Sequence, residues 1–266
     1  MILSAHYDSK TELLSERWAD FFMGKLPIGM LLSLVLGVLG VVGWGLADSA
    51  ETWSNSVYFV ATILTAPLLF IFFPISINFI FGQFGAPSRG AVDNGAATAI
   101  LLDVANMLAA DEDAYYTKVS IVIFCGEETI VQGSRAYVRD RNSPYPTQAV
   151  NLELMGQNGD YVIWNKIGDL FGSFPTDIDL NQQLDELVKQ HSGNPITFLD
   201  AAPGTDTLPF LQAGIPATSL ASLDNALGFG GLHRPIDNLA RVEMSKLPEG
   251  SEMLIDFVKC TDAAAS

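Results

Sequence analysis

The sequence predicts an α/β domain, a mostly parallel twisted sheet with helices on both faces, interrupted by an inserted transmembrane helical hairpin. Three observations predict it. Short β-branched or apolar runs alternate with longer segments apolar at helical spacing. Polar residues able to bind metal follow several of the predicted strands directly. All charges lie outside two uncharged stretches, Leu26–Ala47 and Thr52–Ser88. That distribution explains how a chain of 266 residues with a net charge of -16 is also 49% hydrophobic, with a mean hydropathy of +0.28.

Taken in order, Ile2–Ala5 is a short strand. The segment 95–110 carries apolar residues on one helical face. Val119–Phe124 is β-branched and reads as a buried strand; Val131–Arg141 reads as a helix. Ala149–Leu154 and Tyr161–Trp164 are strands, and Leu180–Gln190 is an amphipathic helix. Thr205–Ala213 is a short helix stopped by Gly214, Ala217–Leu220 a strand, and Lys246–Lys259 a closing helix. The Ala-rich end, Ala263–Ser266, is expected to be disordered.

The stretch 26–46 is long enough to cross a bilayer core, at about 1.5 Å per residue over roughly 30 Å. The stretch 57–81 is also long enough, and Pro67 and Pro74 are tolerable kinks in it. Trp44, Trp53 and Tyr58 flank the connection between them, where interfacial aromatics belong. The expected organisation is an α/β domain of residues 1–20 and 86–266 around a hairpin at 21–85. Lys10, Arg17, Lys25 and Arg89 flank the hairpin on the side of this domain, and its connecting loop carries only Asp48 and Glu51. The positive-inside rule therefore predicts an integral membrane protein with its α/β domain in the cytoplasm, and the lipid bilayer as a partner.

The acidity excludes nucleic acid as a partner, because phosphate binding needs a basic face. There is no GxxxxGK[ST] nucleotide loop. Cys125 and Cys260 form no CxxC and are expected to be buried apolar residues. Nothing in the sequence sets the oligomeric state.

His6 and Asp8 follow the first strand, Glu127 and Glu128 the strand ending at Phe124, and Glu153 ends the strand Ala149–Leu154. Asp93 precedes the helix starting at Gly95, and His233 lies in the loop after Ala217–Leu220. Imidazole and carboxylate are the ligands of hydrolytic zinc sites, and two ions about 3.5–4 Å apart can share a carboxylate. Asp93, Glu128 and Glu153 would supply three negative charges to such a pair. Without cations, clustered carboxylates would raise one another's pKa. A Glu-Glu pair alone is ordinarily a solvated surface, as are His191 and Asp103 in this reading.

Six segments occur in one order: AHYDS, GAVDN leading into a helix, FCGEETIVQGSRAY, NLELMG, TDTLPFLQAGIPA and HRPID. Together they resemble the M28 family of co-catalytic zinc peptidases, which includes bacterial aminopeptidases. The resemblance implies two Zn2+ ions and a peptide substrate. It implies that His6 and Glu153 hold one metal, Glu128 and His233 the other, with Asp93 bridging and the Asp93–Asn94 bond strained. Glu127 would be the general base, and Asp8 would orient His6 through its second ring nitrogen. Asp206 and Asp237 are expected to support the region of His233.

Three departures stand out. Glu153 occupies a position where the family usually has Asp. The family usually has a helix and two strands before the H-x-D strand, whereas this sequence starts on that strand, so either a smaller sheet or a further N-terminal part is expected. The normally short connection from H-x-D to Asp93 holds the apolar block. The implied activity is a membrane-anchored aminopeptidase. A glutaminyl cyclase-like acyltransferase with one zinc and a non-catalytic binding module remain as alternatives.

Overall fold

Strand β1 (Ile2–His6) is buried along its whole length and lies between β2 (Ser120–Phe124) and β3 (Ala149–Glu153), parallel to both. The computed structural model describes residues 1–11, 28–29, 31–32, 35, 38, 72–73, 87–110, 115–141, 147–169, 172–229 and 231–265. Two compact units are distinguished: Met1–Lys10 with Ser88–Ser266, and Thr11–Pro87.

In the first unit a six-stranded sheet runs in the order β2-β1-β3-β9-β4-β7, where β4 is Tyr161–Trp164, β7 Thr197–Leu199 and β9 Ala217–Ser222. Every pairing is parallel except β4 with β9, so the sheet is mixed. A second sheet, β6-β5-β8, joins β5 (Lys166–Asp169), β6 (Gly172–Pro175) and β8 (Ala202–Pro203). It was not anticipated, because Gly168, Asp169 and Gly172 break any strand-like alternation.

Alternation along the strands assigns the two faces. Leu3, Val150, Leu152 and Leu220 pack with α1 (Ala96–Ala109), α3 (Ile178–Ser192) and α5 (Lys246–Ala265). Ile2, Phe124, Ala149 and Ala217 pack with Phe210 of α4 (Leu208–Gln212) and Tyr137 of α2 (Gln132–Asp140). Phe124 and Tyr137 meet edge to face at 5.6 Å between centroids. Helix α3 shows why these segments are helical. Leu180, Leu184, Leu187 and Val188 form one buried stripe, and the Asp177 side chain caps Asp179 and Leu180. Gly193, at φ 80, ends it. Helix α5 continues through Ala265, so Ala263–Ala265, expected to be disordered, are helical.

The geometry that matters follows from parallel pairing. His6 is level with Phe124, so the ends of β1 and β2 leave the sheet at one edge, and β3 ends there with Glu153. Helix α2 must pack close to the end of β2. A Cβ at Gly133 would sit 2.1 Å from the Cys125 carbonyl, so only glycine fits.

The predicted hairpin, with spans at about 26–46 and 57–81, lies almost wholly outside the described residues. Within it Ile28, Gly29, Leu31, Leu32, Val35, Val38, Phe72 and Phe73 are helical. Among the described residues, no helix is long and apolar enough to cross a membrane. Cys125 and Cys260, expected to be buried, are both exposed, since neither side chain is turned toward the two apolar clusters.

Candidate metal centre

Six of the sequence-predicted groups converge at the edge where β1, β2 and β3 end. His6 Nε2 lies 3.3 Å from Asp93 Oδ1, 3.3 Å from Glu153 Oε2 and 3.9 Å from Glu127 Oε2. His233 Nε2 lies 2.9 Å from Asp93 Oδ2 and 3.2 Å from Glu128 Oε1. One oxygen of Asp93 thus faces each imidazole. Among the described residues, two groups have donor atoms within 4.8 Å of one another: His6, Glu127 and Glu153, and Asp93, Glu128 and His233.

Local structure delivers each side chain. Asp93 and Asn94 sit in the irregular turn Ala91–Gly95 that opens α1, and the bond between them is cis. Gly90 starts this turn at φ 58, where a Cβ would meet Ser9 Cβ at 2.7 Å and Asp93 O at 2.8 Å. Asn94 Nδ2 donates to Leu152 O at 2.8 Å and to Glu153 Oε2 at 3.1 Å, and Asn94 Oδ1 accepts from Leu154 N at 3.2 Å. Asn151 Nδ2 donates to the other oxygen of Glu153 at 2.7 Å. The glutamate at 153 is therefore fixed at both oxygens and reaches His6 despite its extra methylene. His233 is held at φ 57, a left-handed conformation uncommon outside glycine.

Asp8 does not act on His6 through its carboxylate. His6 Nδ1 meets the Asp8 backbone carbonyl at 2.9 Å, while the nearest carboxylate oxygen is 3.7 Å away. That carboxylate accepts the backbone N–H of Glu127 at Oδ1 and of Glu128 at Oδ2, each at 3.3 Å. The reason is the register of β1 and β2, which sets Asp8 opposite the turn after Phe124.

Asp237 accepts Val92 N at 2.7 Å and Asp93 N at 3.2 Å, so it holds the Asp93 turn. Asp206 lies in the turn before α4, and its charge interacts with Glu153, His6, Asp8 and Glu127. Both Asp206 oxygens are buried without a hydrogen-bond partner. Ser134 lies close, but its hydroxyl donates to Val131 O. Lys10, absent from the predicted site, places Nζ 3.1 Å from Glu128 Oε2. Asn151 and Lys10 lacked a sequence signal beyond nearness to Glu153 and to His6–Asp8.

Electrostatics follow from the crowding. Burial opposes charge on His6, but Glu153, Asp93 and Glu127 outweigh it and hold the imidazole protonated far above its usual range. Burial would raise Asp93, but His233 and His6 pull it well below the carboxylate range. Burial and then Glu153 push Glu127 well above that range. Burial raises Glu153 as well, against the pull of His6. Burial pushes Asp206 up to about 7.

The donor set fits a pair of divalent cations. Glu128 Oε1 is buried and accepts no hydrogen bond, although His233 Nε2 is 3.2 Å away. The His233 ring is hydrogen-bonded to Asp93 instead, which leaves Glu128 Oε1 with a lone pair that a cation could take. Imidazole binds a cation in its neutral form, so a cation beside Asp93 and Glu153 would take the place of the proton that these carboxylates favour on His6.

Comparison with known proteins follows this geometry. The model of peptidase family M28 matches residues 75–258. No curated protein sequence matches the chain. Among solved structures, the zinc aminopeptidase BSAP from Bacillus subtilis is similar, at 18% identity and TM-score 0.51, over 63% of this chain and 41% of that one. The LapA aminopeptidase of Legionella pneumophila gives 18% identity and TM-score 0.54, over 64% of this chain and 45% of that one. A glutaminyl cyclase from Bacteroides thetaiotaomicron gives 16% identity and TM-score 0.50, over 64% of this chain and 62% of that one. These likenesses show the fold, and this chain spans less than half the length of the two aminopeptidase chains.

Proposed function

The chain belongs to peptidase family M28, and from that premise we propose that it is a membrane-anchored two-zinc aminopeptidase. The observation that carries the reading is the division of Asp93 between two imidazoles, at 3.3 Å from His6 and 2.9 Å from His233. In this reading His6 and Glu153 hold one Zn2+, Glu128 and His233 the other, and Asp93 bridges. When bound, two zinc ions would polarise the scissile carbonyl and lower the pKa of water.

Glu127 is the general base. It takes the proton of the attacking water and delivers it to the leaving amine. Its raised proton affinity, caused first by burial, supports that role. Asp8 fixes the backbone of Glu127 and Glu128 together, so base and ligand move as one. Asp237 and Asn94 fix Asp93 and Glu153. The substrate is the N-terminal residue of a peptide. A complete second ligand group, Asp93, Glu128 and His233, favours this reading over a one-zinc acyltransferase.

Membrane anchoring rests on the uncharged stretches 26–47 and 52–88 and on the exposure of the helical side chains Ile28, Leu31, Leu32, Val35, Val38 and Phe73. The flanking Lys and Arg residues support a cytoplasmic catalytic domain.

The test is hydrolysis of aminoacyl reporters by the detergent-purified, zinc-loaded chain and by Glu127→Gln. The proposal expects turnover in the first and its loss, by roughly 10²–10⁴-fold, in the second with zinc content kept. Equal rates would refute it.

A further inference from the structure

The two carboxylates that close the two ligand groups are oriented in different ways. On the His6 side, both oxygens of Glu153 accept from neutral amides, Asn94 at 3.1 Å and Asn151 at 2.7 Å. On the His233 side, Glu128 Oε2 is met by the Lys10 ammonium at 3.1 Å. Its Oε1 is left without a hydrogen bond, facing His233. The Glu128 side chain is 6% exposed and that of Lys10 40%, so the ammonium reaches a buried carboxylate from a solvated position.

An amide dipole orients a carboxylate without removing its charge. An ammonium also orients it, but it neutralises part of the charge a cation would bind and repels that cation. We propose that Lys10 makes Glu128 a one-oxygen ligand and renders the Asp93–Glu128–His233 site the weaker, exchangeable one of the two. Lys10 is thus a positioning residue that sets unequal cation affinities. It follows His6, the last residue of β1, and Asp8 in the chain, so one short segment supplies a ligand, the clamp on the Glu127–Glu128 backbone and this counter-charge. The inference rests on the two-zinc reading.

Calorimetric titration of the metal-free full chain in detergent with Zn2+ tests it directly. The unaltered chain is expected to bind in two steps of different affinity. Lys10→Met should tighten the weaker step by at least roughly tenfold and leave the tighter step unchanged. Lys10→Arg, which keeps the charge, should stay near the unaltered chain. A weaker step that is unchanged or loosened in Lys10→Met overturns the inference while leaving two zinc ions in place. A single step in the unaltered chain overturns the two-zinc reading and the inference with it.

Discussion

Asp237 accepts the backbone N–H of Asp93 at 3.2 Å, tying the turn that presents the shared carboxylate to the loop that presents His233. The same carboxylate accepts Val92 N at 2.7 Å. Replacing Asp237 by Asn removes the charge that two N–H groups share. We expect Asp237→Asn to lower zinc affinity 10- to 100-fold, roughly the cost of losing a partner that orients a ligand. Titration calorimetry measures this; unchanged affinity on both steps would contradict it.

Asp8 has a different signature. Because its carboxylate holds Glu127 and Glu128 by their backbone, Asp8→Ala should lower kcat as well as zinc binding at the His233 side. The expected loss in kcat is roughly tenfold to a hundredfold at saturating zinc. An effect confined to KM would show that the clamp does not position the base.

Asp206 predicts a pH dependence of stability. Its carboxyl is held at about 7 in the fold by burial, against an ordinary value of 3.8. Between those values the folded chain keeps a proton that the unfolded chain releases, so this group destabilises the fold progressively as pH rises from 4 to 7. In metal-free protein, Asp206→Asn should therefore change Tm little at pH 4 and raise it at pH 8, a gain on the order of a few kcal/mol. A Tm difference that does not grow with pH would show that Asp206 is ionised throughout.

Much of this centre was legible because every group except His233 stands at a strand end or a helix start, where sequence and fold are in simple register. His6 ends β1, Glu153 ends β3, Glu127 and Glu128 follow β2, and Asp93 opens α1. The contacts that the sequence did not show join residues distant in the chain. The resemblance assigned Asp8 to the second ring nitrogen of His6; its backbone carbonyl makes that contact, while its carboxylate spans the amides of residues 127 and 128. The resemblance placed Asp206 near His233; from the turn before α4 its charge also interacts with Glu153, His6 and Asp8. The sheet β5-β6-β8 was missed because its strands are short and lack alternation.

The proposed topology can be tested through the two cysteines, which are the chain's total and are both exposed. A membrane-impermeant maleimide should label Cys125 and Cys260 in inverted vesicles and leave them unlabelled in intact cells. Labelling in intact cells would place the catalytic domain on the opposite side, and release from vesicles by alkaline carbonate would argue against a spanning anchor.

Anomalous scattering at the zinc edge, from crystals of the zinc-loaded chain, goes straight to the centre of the account. Two peaks about 3.5–4 Å apart are expected, one contacting His6 and Glu153, the other Glu128 and His233, with Asp93 touching both. A single peak, or two that Asp93 does not join, would contradict it.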